Sequence, residues 1–313
     1  MHAAANNLRG GVAPKTTRLR GQSIIEYVLI IAVIGLVIVF AGPGVAGAIR
    51  NQFNQVTNTV DSGTDGDSFM SAEEKAYREA MKSITSKDAK DWTLDEQKAA
   101  ATDIAKNGTS SVVYAKAKAA MDAGTKFSAK LTNGKTLEYR IVGINHDDLA
   151  DGSGKAGLTF EATNTALAAQ RMNATGTNAG GWEKSELRGR LNTGDLWSLL
   201  PSELQSKVKS VTKMTDNQGG GKAGTPSATT DKVFLLSTTE VYGDMQSDGT
   251  QYEFYKSKGV TTSNYSGASS SDDRWTRSVY PSYSTTFRNV NSNGNYYSAS
   301  ATNPHYVFPA FSF

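Results

Sequence analysis

The chain has 313 residues, with no cysteine and only three histidines. The absence of cysteine excludes disulfide bonds, cysteine-ligated metals and thiol nucleophiles. A histidine-based metal site or a Ser-His-Asp triad would have to use His146 or His305, and neither lies in a recognisable motif for such chemistry. We therefore predict no catalytic residue, no metal site and no cofactor, and we expect that the protein is not an enzyme.

Acidic residues are absent from the first 21 positions, although the whole chain carries a formal charge of +3. Residues 1–21 hold four of the 33 lysines and arginines, so the other 29 basic residues face 30 acidic ones. The basic character belongs to the N-terminus alone. It therefore predicts no binding to nucleic acid.

Long apolar runs are also scarce, with one exception, "IIEYVLIIAVIGLVIVFA" at residues 24–41. A helix needs roughly 20 apolar residues to span a bilayer, and this run with its small-residue extension is just sufficient. The preceding basic residues predict a cytoplasmic N-terminus and a C-terminus outside the membrane. Glu26 interrupts the run near its start, where a carboxylate has no obvious partner.

The order of a basic leader, Gly21, Gln22, Glu26, Tyr27 and an apolar helix resembles a type IV-like prepilin. The Glu-Tyr pair is typical of the Flp (tight-adherence, Tad) branch. The resemblance implies that a prepilin peptidase removes the leader, residues 1–21, by cutting between Gly21 and Gln22. It also implies that Glu26 and Tyr27 in the pilin helix, residues 22–56, serve filament assembly with other pilin subunits and the assembly machinery.

The chemistry of Glu26 agrees with that implied role. Cleavage would create a free amine at Gln22, and a buried carboxylate is costly unless it is paired. The Glu26 carboxylate could therefore pair with the terminal amine of a neighbouring subunit. The alternative is a plain signal anchor in which Glu26 reaches the membrane interface.

Two segments of different character follow the apolar helix. Residues 57–71 are rich in Gly, Ser, Thr and Asp and predict a linker. Residues 72–124 predict a helical spacer, in which Thr93 and Glu96 form the capping box of a helix that ends at Asn107-Gly108.

From residue 125 the sequence pattern changes to short strands and short helices. Asn133-Gly134 between two alternating runs predicts a hairpin with a type I′ turn, and residues 157–163 predict a further strand. Residues 181–192 predict a short helix. Pro201, followed by apolar residues at helical spacing through Val211, predicts another.

Five stretches in this region resemble a bacterial extracellular domain family of unknown function, the DUF6273 type. They are "LEYRIVGI", "GWEKSELRGRLN", "DKVFLLSTTEVYG", "RWTRSVYPS" and "HYVFPAFSF". Phe308 stands where family members usually have arginine, and "WTRS" replaces the usual "WLRS". The resemblance covers residues 125–313 and implies an α+β fold of the C-type-lectin-like kind. We interpret its motif residues Trp182, Arg188, Trp275 and Arg277 as structural.

Eight of the thirteen tyrosines fall in residues 252–306, interleaved with Ser, Asn and Gly. Binding loops use this composition because tyrosine offers rigid contact area at low entropic cost, although short strands and turns favour the same residues. We predict a ligand-contact surface from five of them: Tyr252, Tyr255, Tyr283, Tyr296 and Tyr297. The calcium-sugar motifs of true C-type lectins are absent.

These observations together predict a pilin-like subunit of an Flp/Tad pilus, of the minor, tip or decorated kind. It would start as a single-pass precursor in the cytoplasmic membrane and end at the cell surface. There its C-terminal domain would contact a glycan or a host or matrix protein. The alternatives are a signal-anchored surface binding protein that enters no filament and a pseudopilin of a secretion system.

Overall fold

A computed structural model describes residues 70–313, which belong to one compact unit. The predicted leader, pilin helix and nearly all of the linker lie outside the described residues, as do Gly21, Gln22, Glu26 and Tyr27. Within residues 70–313, no helix is both long enough and apolar enough to cross a bilayer. The content is a mixture of helices and antiparallel sheets, which confirms the α+β class.

Three helices open the described part of the chain. They are α1 (Ala72–Ile84), α2 (Leu94–Asn107) and α3 (Tyr114–Ala123). Thr93 and Glu96 form the predicted capping box at the start of α2, and Gly108 ends this helix with a φ of 55°. The local sequence rules therefore place α2 correctly, because its caps depend only on neighbouring residues.

A five-stranded antiparallel sheet follows, formed by β1 (Lys126–Lys130), β2 (Thr136–Ile144), β3 (Leu158–Ala162), β6 (Val233–Phe234) and β10 (Ala310–Ser312). Their spatial order is β1-β2-β3-β10-β6. The C-terminal strand therefore lies inside the sheet, between β3 and β6. The first and last strands of residues 158–313, β3 and β10, are therefore neighbours in the sheet.

The β1–β2 hairpin forms as predicted, but its turn is of another type. Leu131 still pairs with Lys135, so the loop has three residues, and only Gly134 among them has a positive φ, of 83°. A type I′ turn needs positive φ at both central residues. The type I′ prediction was therefore wrong, and a single left-handed glycine closes the hairpin instead.

Four short helices and one small sheet occupy residues 181–231. The helices are α4 (Gly181–Lys184), α5 (Glu186–Asn192), α6 (Asp195–Leu199) and α7 (Ser202–Gln205), and the sheet pairs β4 (Val211–Thr215) with β5 (Ser227–Asp231). The helix predicted from Pro201 through Val211 is confined to one turn. Val211 instead starts β4, since pairing with Asp231 across the sheet overrides its helical spacing.

The C-terminal part adds two short helices and a three-stranded sheet. Helices α8 (Thr238–Tyr242) and α9 (Glu253–Ser257) precede β7 (Arg274–Val279), β8 (Thr286–Val290) and β9 (Tyr296–Ser300), which are joined in that order.

One continuous apolar core joins the first three helices to the five-stranded sheet. The Tyr139 ring packs at about right angles to Phe160, with centroids 5.5 Å apart, and its hydroxyl donates to Gln97 of α2 at 3.0 Å. The predicted helical spacer is therefore packed against the sheet through buried side chains.

Candidate functional site

The five tyrosines of the predicted contact surface have different environments. Tyr252 and Tyr255 are fully buried, so their assignment to an exposed surface was wrong. Tyr296 is partly exposed, whereas Tyr283 and Tyr297 are 56% and 55% exposed. Of these five residues, only Tyr283, Tyr296 and Tyr297, around β8 and β9, are therefore available to a ligand.

Tyr283 and Tyr296 belong to a continuous stack of flat groups, together with Tyr280 and Arg288. The rings of Tyr283 and Tyr280 are stacked with centroids 5.0 Å apart and an interplanar angle of 17°. The Arg288 guanidinium carbon lies 3.9 Å from the Tyr280 ring centroid and 5.8 Å from that of Tyr296. We call Tyr283, Tyr280, Arg288 and Tyr296 the tyrosine–arginine stack.

The alternation of β9 explains which tyrosine joins the stack. Arg288 of β8 faces Ser298 of β9 in the register, and side chains two apart share one side of a strand. Tyr296 therefore lies on the side of Arg288, and Tyr297 points to the opposite side. Tyr297 has no ring contact with the stack.

Arg288 is the charged member of the stack, and it has no carboxylate partner among the described residues. Its Nε is buried without a hydrogen-bond partner. Burial lowers the pKa of the guanidinium, although the neighbouring hydroxyls of Tyr280 and Tyr296 act to raise it. The Arg288 guanidinium is therefore a partly desolvated cation held between aromatic rings. An anionic group of a ligand would compensate for the hydration that this cation has lost.

The four family-motif residues lie among buried hydrogen bonds. The Trp182 indole donates to Asp231 at 3.2 Å, and the Arg188 Nε donates to the other oxygen of the same carboxylate at 2.6 Å. The Trp275 indole donates to the carbonyl of Gln170 at 2.8 Å. These side chains hold separate segments of the chain together.

Arg277, the fourth motif residue, is fully buried and has five hydrogen-bonding partners besides the carboxylate of Glu240. Its guanidinium pairs with both oxygens of Glu240. It also donates to the carbonyls of Leu235, Met214 and Asp248 and to the Thr215 hydroxyl, while its backbone N–H donates to Leu236. Burial acts to lower the pKa of the Arg277 guanidinium, but the Glu240 carboxylate outweighs this effect and raises that pKa overall.

The Glu240 carboxylate also belongs to a second buried ion pair, which sequence analysis missed. Lys213 Nζ lies 2.5 Å from Asp147 Oδ1 and 2.6 Å from Glu240 Oε1. The Tyr252 hydroxyl donates to Asp147 at 2.8 Å, which explains why this tyrosine is buried. We call Asp147, Lys213, Glu240, Tyr252 and Arg277 the Lys213 cluster.

The charges of this cluster balance, with two carboxylates facing two cations. Burial acts to raise the pKa of Asp147, but Lys213, His146 and two hydrogen bonds outweigh it and lower that pKa to about 2. Burial likewise acts to raise the pKa of Glu240, and Arg277 and Lys213 lower it overall. Both acids are therefore carboxylates at neutral pH.

Three members of the Lys213 cluster, Asp147, Lys213 and Glu240, line an open cleft of about 340 Å³. At its rim, the His146 ring stacks on Tyr252 with centroids 4.0 Å apart and lies 3.1 Å from Glu253 through Nδ1. Burial acts to lower the pKa of His146, but the hydrogen bond to Glu253 and the carboxylates of Asp147 and Glu240 raise it. Within residues 70–313, no group of three or more His or acidic side chains is arranged to hold a metal ion.

Two signals in the sequence point to the cluster, although neither identifies it alone. Ser237 and Glu240 have capping-box spacing, and the structure shows that box at the start of α8. Asp147 directly follows a long apolar strand and a histidine. The pairing of Asp147 with Lys213 spans 66 positions, so local patterns do not reveal it.

The sequence model of one family, described as a domain of unknown function (DUF6273), matches residues 156–313. The chain belongs to this family. The match starts immediately before β3, so the β1–β2 hairpin and "LEYRIVGI", expected within the family region, lie outside it. No match was found among curated proteins or among solved structures. The DUF6273 region contains the tyrosine–arginine stack and, of the Lys213 cluster, every member except Asp147.

Proposed function

We propose that the DUF6273 region binds a ligand at the cell surface and that the tyrosine–arginine stack is its contact site. The observation that carries this proposal is the exposed Tyr283 ring at the end of a stack whose arginine has no carboxylate partner among the described residues. A flat ring stacks on the apolar face of a sugar, and a guanidinium binds carboxylate or sulfate. The preferred ligand is therefore an acidic glycan, with an acidic segment of a matrix protein as the other ligand of that chemistry.

We also propose that this domain is displayed by a pilin-type N-terminus. The support comes from the sequence: the basic leader, Gly21, Glu26 and Tyr27 before an apolar helix. The protein would be a minor, tip or decorated subunit of an Flp/Tad pilus, processed by a prepilin peptidase and moved from the membrane to the surface. A C-type-lectin-like fold for residues 125–313 remains part of this proposal, supported by the pairing of β3 with the C-terminal β10.

Binding of the full chain in detergent to an array of acidic glycans, neutral glycans and matrix proteins tests the contact site. We expect a preference for acidic glycans. We also expect Tyr283→Ala to weaken binding about tenfold, equivalent to about 1.4 kcal/mol, because a central aromatic contact is lost. Tyr297→Ala is the matched control, since Tyr297 is equally exposed but lies outside the stack. Equal binding by the two variants, or no preference for acidic ligands, would contradict the assignment.

The proposed pilin-type N-terminus is tested on material sheared from the cell surface. Mass spectrometry is expected to find a mature start at Gln22 in the filament fraction. Glu26→Ala is expected to remain in the membrane and to be lost from filaments, because the terminal amine of the neighbouring subunit would have no carboxylate partner. An intact Met1 found only in membranes would support the signal-anchor alternative. Normal filament entry of Glu26→Ala would exclude the pairing mechanism.

A further inference from the structure

The Lys213 cluster places a primary amine against a carboxyl group inside the protein. Both side chains are almost fully buried, at 4% exposure for Lys213 and 2% for Asp147, and their N and O atoms are 2.5 Å apart. We propose that Lys213 and Asp147 condense within the folded chain to an isopeptide bond, with Glu240 as the group that carries the proton. The proposal is independent of the proposed function.

The distances are those of two groups held ready to react. A nitrogen at hydrogen-bond distance from one carboxylate oxygen is also close to van der Waals contact with the carboxyl carbon, which is the separation of a near-attack arrangement. Holding two reactants in this way has an effective molarity of about 10⁵–10⁸ M in favourable cases. Such a proximity can drive an amide condensation that is unfavourable between separate molecules in water.

Two hydroxyl groups are directed at the carboxyl group that would be attacked. The Tyr252 hydroxyl donates to Asp147 Oδ2 at 2.8 Å, and the Thr159 hydroxyl donates to the same oxygen at 2.5 Å. Fixed donors of this kind stabilise the negative charge that develops on oxygen when an amine adds to a carboxyl carbon. The Asp147 carboxyl group is therefore polarised as well as positioned.

The surroundings of the amine are aromatic. Lys213 Nζ lies 4.5 Å from the ring centroid of Phe234 and 5.2 Å from that of Tyr252. The ground state is an ion pair, but removal from water disfavours two separate charges relative to a neutral amine and a neutral acid. A small population of the neutral pair is sufficient, because the reaction has to occur only once in each chain.

The reaction balances without any other reactant. A proton first moves from the Lys213 ammonium to the Asp147 carboxylate, and the free amine attacks the carboxyl carbon. Glu240 Oε1, 2.6 Å from Nζ, accepts the second proton and passes it to the departing hydroxyl. One N–C bond forms, one C–O bond breaks and one water leaves through the cleft. Arg277 keeps Glu240 in position throughout.

A second lysine–aspartate pair in the same cleft serves as an internal comparison. Lys155 Nζ lies 2.9 Å from Asp148 Oδ1, but the two side chains are 47% and 72% exposed. Water solvates both charges there, and no hydroxyl of another side chain donates to Asp148 among the described residues. We expect this pair to remain an ordinary surface ion pair.

Peptide mapping of the full-length chain by mass spectrometry tests the proposal. Trypsin is expected to leave residues 141–155 joined to residues 210–222, lighter than the two peptides together by one water, with no cut after Lys213. A succinimide at Asp151-Gly152 would also remove one water, but it would leave the two peptides separate. Recovery of residues 141–155 and 210–213 as free peptides from folded wild-type protein would overturn the proposal.

Three variants locate the chemistry. Lys213→Arg keeps the positive charge but has no amine that can condense, and Glu240→Gln lacks the carboxylate that accepts the proton, so both are expected to give unlinked peptides. Asp147→Asn would release ammonia instead of water if it reacts, and its joined peptide would have the same mass as the wild-type one because the two products are identical; a joined peptide in this variant would therefore support the bond between positions 147 and 213. A joined peptide in Lys213→Arg would place the bond elsewhere and overturn the assignment. If a variant fails to fold, the wild-type peptide map still decides the question.

Discussion

Replacing Arg277 by methionine is expected to lower the free energy of unfolding by about 3–5 kcal/mol, which is typical of breaking a buried ion pair from one side. The guanidinium is fully buried and pairs with both oxygens of Glu240. Methionine fills part of the volume but removes the cation that contacts both oxygens of this buried carboxylate. Urea titration followed by circular dichroism measures the change as a shift of the unfolding midpoint at constant slope.

The matched control is Arg190→Met, which removes the same group from an exposed site. Arg190 also contacts a carboxylate through two nitrogens, at 2.9 Å and 2.8 Å from Asp195, but its side chain is 37% exposed. Surface pairs contribute at most about 1 kcal/mol, and usually less. Equal midpoints for the two variants would show that Arg277 does not hold the fold together.

Lysine is expected not to rescue position 277. The guanidinium donates in several directions at once, to Glu240 and to the carbonyls of Leu235, Met214 and Asp248. A lysine ammonium keeps the charge, but its three donors on a flexible four-carbon stem do not reproduce that planar fork. The urea unfolding midpoint of Arg277→Lys should therefore lie near that of Arg277→Met.

Local rules predicted the elements whose determinants are close in sequence. The capping box of Thr93 and Glu96 and the glycine at position 108 define both ends of α2. The β1–β2 hairpin follows from alternation on both sides of Asn133-Gly134. In each case the signal and the structure it specifies lie within a few residues, so tertiary contacts confirm the local preference without changing it.

The wrong predictions share a different cause. The one-turn α7 stops because Val211 pairs with Asp231, which is 20 positions away in the sequence. Tyr255 is buried because its hydroxyl donates to Glu161 at 2.5 Å, and Tyr252 is buried because of Asp147. Composition identified a tyrosine-rich region, but it could not distinguish a ring with a buried acid partner from a ring at the surface.

The candidate sites show the same limit. Arg277 was identified through its motif, yet its network with Glu240, Lys213 and Asp147 depends on residues that are between 37 and 130 positions apart from it. Arg288 had no signal at all, because a lone arginine in a strand is unremarkable until two rings are found beside it. The structure therefore shows what local sequence patterns do not: contacts of arginines with acids and aromatic rings that are distant in the sequence.

Replacing Gly157 by alanine is expected to destabilise the fold by at least about 1–3 kcal/mol, the usual cost of overpacking a tight contact. Gly157 lies just before β3, and a Cβ there would be 1.8 Å from the carbonyl oxygen of Ala101 in α2. That neighbour is helix backbone in the core and cannot move alone, so α2 would have to shift away from the sheet. Urea unfolding of the variant measures the cost.

Gly189→Ala is the control for the same chemical change. Gly189 lies inside α5, where an added Cβ would have no heavy atom within 4 Å apart from its chain neighbours and the backbone of its own helix, and its φ is not positive. Alanine at such a position is expected to stabilise the helix by about 0.5–1 kcal/mol, because it restricts the unfolded chain. The two variants should therefore move the unfolding midpoint in opposite directions. If Gly157→Ala left the unfolding midpoint unchanged, α2 would pack less closely on the residues before β3 than the 1.8 Å distance from an added Cβ to the Ala101 oxygen indicates.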